Sequence, residues 1–187
     1  MSDVASAVVM LLWPALEVAL VVNEKVRCRG SCAKGGSAAL VWLVAAPASL
    51  LAVACRLFEV LPLPFDASWS LPIATVIVVA GLAVRVSALL TLGKLFSVDV
   101  AFRPEHELVT RGLYSVVRHP AYTGLLISFL GVGVVSWSWL GLALTTVPIF
   151  AVLSHRVHVE EEAMSRLFGD AYDRYRRRTK RLVPGVY

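Results

Sequence analysis

Three short polar segments contain most of the side chains of this sequence that are suited to chemistry. They span residues 92–97, 106–124 and 156–175. In the third segment Arg156 and Glu160 are four residues apart, a spacing that favours an ion pair along one face of a helix. Residues 160–162 are three adjacent glutamates, which repel one another and need nearby cations. A bound cationic ligand is one such cation, so this segment indicates ligand binding as well as helix stabilisation.

His119 lies at the predicted start of a helix, because the proline that follows it is tolerated in a first helical turn. Helix N-termini carry outward-pointing N–H groups and the positive end of the dipole. This environment favours either a neutral histidine or a bound anion at His119. No metal site is expected, because His106 and His119 are thirteen residues apart in a loop and His155 and His158 only three apart on one helix.

The elements that position these residues are predicted to be membrane helices. Of the 187 residues, 58% are hydrophobic and 17% charged, against about 25% charged in an ordinary soluble domain. Mean hydropathy is +0.73. This composition excludes a disordered or nucleic-acid-binding tail, so no nucleic-acid partner is expected, and it disfavours a soluble globule. Lysine, arginine, aspartate and glutamate are absent from three runs long enough to cross a bilayer: 35–55, 67–84 and 119–155.

The sequence therefore predicts an all-α, polytopic membrane protein with about five transmembrane helices. The expected spans are 4–22, 38–57, 71–92, 121–136 and 138–157. The last two form a tight hairpin that turns at Ser136–Trp139, with its two tryptophans as interfacial anchors. Residues 1–70 are expected to supply two helices and a basic loop, and 71–187 a core with a cofactor pocket and a C-terminal helix, all in one structural domain.

Basic residues indicate the orientation of these helices. They are concentrated in 23–37, 93–120 and the segment after 157, which predicts an N-terminus outside and a C-terminus in the cytoplasm. The polar segments then share one membrane face and can build one site. The basic run from Arg174 to Arg181 is expected to lie against anionic membrane lipid. Glu17 and Arg85 lie inside spans, where they either pair with each other or contact a ligand.

One combination of motifs is specific. The pattern R-H-P-x-Y-x-G begins at Arg118, a membrane hairpin follows, and R-x-x-x-E-E begins at Arg156. Together with His-Glu-Leu-Val at 106–109 and Phe168-Gly169, these motifs make residues 80–187 resemble the isoprenylcysteine carboxyl methyltransferases. That family belongs to the integral-membrane methyltransferases, which include the phospholipid methyltransferases. The short chain is similar to compact prokaryotic members, which implies a prokaryotic inner membrane.

The resemblance implies S-adenosyl-L-methionine as methyl donor and esterification of the carboxylate of a prenylated cysteine or another lipophilic substrate. The candidate cofactor-binding residues are His106, Glu107, Leu108, Val109, Gly112, Tyr114, His119, Pro120, Ala121, Tyr122, Glu160 and Glu161. Arg156 is implied to contact the substrate, and either Arg156 or Arg85 could orient the carboxylate as the candidate catalytic residue. No oligomeric state is predicted.

A carboxylate is already ionised at neutral pH, so its methylation requires positioning and no general base. Other acceptors remain as alternatives: a thiol, an isoprenoid acid or a phospholipid amine. A thiol or amine would need a base, for which Tyr122, His119 and His106 are candidates. NADPH-dependent reduction of a sterol-like lipid is a second class of function, and a membrane scaffold without catalysis is a third.

Overall fold

The computed structural model describes residues 37–93 and 108–187, and these residues form helices without β-strands. The α-helices are α1 (Ser37–Leu57), α2 (Ser70–Leu92), α3 (Pro120–Val135), α4 (Trp139–Phe168) and α5 (Asp170–Arg178). Short 3₁₀ helices at Ala67–Trp69 and Gly112–Ser115 precede α2 and α3. The predicted span 4–22, Glu17, His106 and Glu107 lie outside the described residues.

The four predicted spans within the described residues are confirmed as helices. Among the residues that the structure describes, three candidate spans are long and apolar enough to cross a membrane by length and composition: Leu40–Leu57, Ala67–Leu92 and Trp139–Phe168. Helix α3 is apolar but shorter. The last span was expected to end at 157, and α4 continues as a helix beyond that residue to Phe168. Its polar extension remains helical since those side chains pair with one another and with neighbouring segments.

The predicted hairpin between α3 and α4 is confirmed, and its turn is tied to the loop that joins α1 to α2. Ser138 caps α4 by accepting a hydrogen bond from the Gly141 amide at 3.2 Å. The Trp137 indole donates to the carbonyl of Phe65 at 2.6 Å. The Trp137 carbonyl in turn accepts from the Leu63 amide at 3.1 Å. These bonds satisfy backbone groups that a turn within a membrane protein would otherwise leave unpaired.

Helices α2 and α3 approach each other at two glycines, which fix the relative height of the two helices. A Cβ atom at Gly81 would lie 2.6 Å from the Gly124 carbonyl oxygen. A Cβ atom at Gly124 would lie 2.6 Å from the backbone nitrogen of Arg85. Small residues allow this close backbone contact between membrane helices. The contact lies within two residues of Tyr122 and therefore sets the position of the predicted site.

The apolar core joins α1 and α4 to the face of α3 that points away from α2. One fully buried layer contains Phe129 of α3 with Ile149 and Leu153 of α4. Ala45 of α1 packs against the same layer. Because Leu153 is only three residues before Arg156, this core also holds the polar end of α4 in place against α3. Helix α3 begins at one end of the bundle, and the polar part of α4 extends from the same end. We call this end of the bundle the site end.

Candidate active site

The start of α3 is held from two sides. Arg85, which is 8% exposed on α2, donates from Nη1 to the Ala121 carbonyl at 3.1 Å. On the other side the C-terminal tail, residues 179–187, runs beside the segment before α3. The amide of Arg118 donates to the Lys180 carbonyl at 2.8 Å, and the amide of His119 to the Arg181 carbonyl at 3.1 Å. The chain is therefore fixed where His119 enters the helix.

A charged cluster of four side chains joins the start of α3 to the extension of α4: His119, Tyr122, Arg156 and Glu160. Nη2 of Arg156 donates to the Tyr122 hydroxyl at 2.9 Å and lies 3.4 Å from Oε1 of Glu160. The Tyr122 hydroxyl donates to that same carboxylate oxygen. The Arg156 guanidinium also lies over the Tyr122 ring, 5.4 Å from its centroid. The predicted spacing of Arg156 and Glu160 is confirmed as an ion pair, and Tyr122 bridges it.

His119 lies between two carboxylates of α4. Its Nδ1 is 3.5 Å from Oε2 of Glu160, and its Nε2 is 3.7 Å from Oε1 of Glu161. Its ring stacks on Tyr122 with centroids 5.8 Å apart. Burial alone would lower the pKa of His119, but the two carboxylates outweigh burial and raise the pKa above its usual value. The sequence allows either a neutral histidine or a bound anion at this helix start. The raised pKa disfavours the neutral histidine, and the two glutamates are the anionic groups beside the ring.

Glu161 forms a second set of contacts, which fasten the C-terminal tail to α4. Its Oε1 accepts from Nε of Arg118 at 2.7 Å, and its Oε2 from Nε of Arg181 at 3.0 Å. Nη1 of Arg118 donates further to the Arg176 carbonyl at 3.1 Å and to the Thr179 carbonyl. Glu161 is 3% exposed. We call Arg118, Glu161 and Arg181 the ionic clamp.

The residues before α3 are held by one aromatic side chain of α5, Tyr175. The Tyr175 hydroxyl donates to the Tyr114 carbonyl at 2.7 Å, and both tyrosines are buried. Burial raises the pKa of Tyr175 to about 12, so this hydroxyl remains a hydrogen-bond donor at neutral pH. Gly112 has a positive φ of 62°, which an L residue rarely adopts, and this conformation turns the chain into the 3₁₀ helix that contains Tyr114.

Within the part of the chain that the structure describes, five of the predicted site residues lie together. The five are His119, Tyr122, Arg156, Glu160 and Glu161. Pro120 is buried beneath the site, and Leu108 and Val109 are half-buried. Within residues 37–93 and 108–187, no group of three or more histidine, cysteine, aspartate or glutamate side chains is arranged to hold a metal ion.

Sequence reasoning did not assign a role to Arg118, Thr179 or Arg181. Arg118 belongs to the R-H-P motif, which could have marked it as a site residue. Arg181 has no comparable signal, because it lies among the tail arginines that were interpreted as facing lipid.

An all-helical bundle of apolar helices with a buried, charged cluster at one end is typical of an integral membrane protein. The phospholipid methyltransferase family model matches residues 69–171, which include the charged cluster and part of the ionic clamp. The chain belongs to this family.

Similar proteins carry related names. The chain is 34% identical over 106 residues to protein-S-isoprenylcysteine O-methyltransferase of Schizosaccharomyces pombe, covering 56% of this chain and 45% of that protein. It is 30% identical over 120 residues to protein-S-isoprenylcysteine O-methyltransferase B of Arabidopsis thaliana, covering 63% and 61%. The chain therefore matches about half the length of these relatives.

The fold is similar to that of a eukaryotic intramembrane Ras methyltransferase, an isoprenylcysteine carboxyl methyltransferase of solved structure. The TM-score is 0.59 at 22% identity, over 80% of this chain and 51% of the other. The predicted membrane fold is confirmed by this similarity.

Proposed function

We propose that this protein transfers a methyl group from S-adenosyl-L-methionine to the carboxylate of a prenylated cysteine or a similarly lipophilic substrate. The observation that carries the proposal is the charged cluster, which combines an arginine suited to a carboxylate with a glutamate suited to a cation. The names of the relatives support the same activity. The family model includes both α3 and the polar extension of α4.

The residues of the site suit this cofactor. S-adenosyl-L-methionine carries a sulfonium and an ammonium group, which a carboxylate attracts, and when bound it supplies an electrophilic methyl group. The Glu160 side chain is 20% exposed, so it is reachable as well as charged. Nε2 of His119 is buried and forms no hydrogen bond among the described residues, although it lies 3.7 Å from Oε1 of Glu161. Glu160, His119 and Tyr122 would hold the cofactor, together with Tyr114 and the 106–109 segment.

Arg156 is assigned to the acceptor carboxylate. It is 5% exposed, and a guanidinium in such a site can bind a carboxylate with two parallel hydrogen bonds. The ionised acceptor is itself the nucleophile, so the protein has to orient it and exclude competing water. Such positioning can lower a reaction barrier by about 7–11 kcal/mol.

The state of His119 favours a carboxylate over a thiol or an amine as acceptor. Those two acceptors require a general base, and His119 is one of its candidates. A histidine whose two nitrogens face Glu160 and Glu161 holds its proton more tightly than a free imidazole does. It therefore stays protonated to a higher pH than a free imidazole does, and the protonated ring cannot act as a base, whereas a carboxylate acceptor needs no base.

Two predicted site residues are assigned positioning roles. Both carboxylate oxygens of Glu161 already contact the arginines of the ionic clamp. We therefore propose that Glu161 holds the C-terminal tail and does not bind the cofactor. Arg85 donates to the carbonyl just before Tyr122, and we assign it to fixing the first turn of α3.

We further propose that the site end faces the cytoplasm of a prokaryotic cell and that the N-terminus lies outside. The basic residues of α5 and the tail support this orientation. The soluble cofactor would enter from the aqueous side, and the lipophilic acceptor would enter sideways from the bilayer.

The test is methyl transfer by the full chain in detergent, with methyl-labelled S-adenosyl-L-methionine. The acceptor is N-acetyl-S-farnesylcysteine, and its carboxamide is the matched control because it lacks a carboxylate. We expect label in the acid as a base-labile methyl ester and none in the amide. Label in phosphatidylethanolamine or a thiol acceptor instead would refute the proposed acceptor.

Variants of the same chain test the roles of the cluster. We expect Arg156→Ala and Glu160→Ala to abolish transfer. Glu162→Ala is the matched control, because its side chain is 53% exposed and pairs with the exposed His158 and Arg166. Near-normal turnover by either cluster variant would show that these role assignments are wrong.

A further inference from the structure

A cavity of about 320 Å³ lies beside the tail, outside the charged cluster. Six basic side chains line it: Arg118, Arg176, Arg177, Arg178, Lys180 and Arg181. Its lining contains no described aspartate or glutamate. Its volume lies at the lower end of the range for ligand pockets, about 300–1,000 Å³. We call this cavity the basic pocket.

The positive charge of the basic pocket is only partly compensated. Glu161 of the ionic clamp contacts Arg118 and Arg181. The other four basic side chains form no ion pair with an acid in the described part of the chain. The C-terminal end of α5 offsets only about half an elementary charge. The pocket therefore carries several uncompensated positive charges and attracts an anion.

The backbone that forms the pocket is fixed by specific contacts. Arg118 is 9% exposed and hydrogen-bonds the carbonyls of Arg176 and Thr179 at the end of α5. The amide of Arg118 pairs with the Lys180 carbonyl at 2.8 Å. The Arg181 guanidinium is held over the Tyr187 ring, 5.5 Å from its centroid. This arrangement differs from the diffuse basic strip that the sequence alone predicts, because the charges line one open cavity.

We propose that the basic pocket binds a phosphate group. A planar guanidinium binds phosphate oxygens with paired hydrogen bonds, and several arginines around one cavity supply such donors from different directions. The group can belong to an anionic phospholipid headgroup or to a soluble phosphate compound. Val186, which lines the pocket and is 77% exposed, would lie beside the acyl region of a lipid. This site is independent of the proposed methyl transfer, and its test requires no turnover.

The test measures thermal unfolding of the full chain in a non-ionic detergent. One series titrates potassium phosphate against potassium chloride at equal ionic strength. The other titrates dihexanoyl phosphatidylglycerol against dihexanoylglycerol, which lacks the phosphate. We expect a saturable rise in Tm with at least one phosphate probe and none with its control. Tighter binding of the phospholipid assigns a headgroup as the natural ligand, and tighter binding of inorganic phosphate assigns a soluble one.

Matched charge variants distinguish a pocket from general attraction. Arg177→Gln and Arg178→Gln each remove one cation from the lining, and we expect each to weaken binding about tenfold, the loss of one charge-assisted contact. Arg174→Gln removes the same charge from the same helix at an exposed position outside the lining, and we expect little change. Equal weakening by Arg174→Gln and Arg177→Gln would overturn the proposal, as would a Tm that neither phosphate probe raises above its control.

Discussion

Removing the central carboxylate of the ionic clamp is expected to cost far more stability than removing its exposed neighbour. In Glu161→Gln the Arg118 charge loses its partner while both side chains remain buried, at 7% and 4% exposure. Breaking a buried ion pair at one partner costs about 3–5 kcal/mol. Because about 2–4 °C of Tm corresponds to 1 kcal/mol in a chain of this size, we expect Tm to fall by roughly 6–20 °C.

Glu162→Gln is the matched control for this prediction. It makes the same chemical change one residue away, but Glu162 is 53% exposed and its partners His158 and Arg166 are 62% and 82% exposed. Exposed pairs contribute about 0.2–1 kcal/mol, so Tm should change by a few degrees at most. Thermal unfolding in detergent, followed by circular dichroism, measures both variants. Similar small shifts in the two would refute the reasoning that the clamp holds the tail.

Three further predictions concern the charged cluster and its supports. Tyr122→Phe removes the hydroxyl that bridges Arg156 and Glu160. We expect kcat/KM for methyl transfer to fall roughly 10–100-fold, the value of one or two contacts to charged groups, and an unchanged kcat/KM would contradict the bridging role. Gly124→Ala places a Cβ 2.6 Å from backbone atoms of α2, so we expect a loss of about 1–3 kcal/mol in thermal unfolding, and an unchanged Tm would contradict the close helix contact. The pKa of His119 is raised in the folded state, so the stability that this residue contributes is complete below pH 6.5 and is lost as the pH rises through its folded-state pKa. Over this pH range Tm of the wild type should therefore fall more steeply than Tm of His119→Gln. Parallel pH profiles of the two proteins would contradict the contacts of His119 with the glutamates.

The helices were predictable because their signal is local. Charge-free runs and proline positions locate α1, α2 and α3 to within about one residue, which reflects the requirement that lipid-facing segments exclude charge. The same rule ended the last membrane span at 157, and α4 continues past that residue to Phe168. Beyond 157 the helix is polar, and it is stabilised by contacts such as Glu161 with Arg118, which hydropathy does not detect.

The charged cluster was predictable only within each segment. The i,i+4 spacing indicated the pair of Arg156 and Glu160, and it is present. The bridge through Tyr122 depends on the register between α3 and its neighbours, which the contact of Gly81 with Gly124 sets. No local pattern encodes that register.

The position of the C-terminal tail could not be predicted from local sequence patterns either. Arginine-rich tails are typical of membrane surfaces, whereas here Arg181 contacts Glu161, a buried glutamate of α4.

The most direct test of the central claim is binding of S-adenosylhomocysteine, the demethylated product, to the full chain in detergent. At about 100 times its Kd this ligand should stabilise the wild type by about 2.7 kcal/mol, measured as a rise in Tm. Glu162→Gln should respond like the wild type, and Glu160→Gln should lose most of the response, measured as the rise in Tm above that variant's own Tm without ligand. A wild type that does not respond, or a Glu160→Gln variant that responds fully, would contradict the assignment of the charged cluster as the cofactor site.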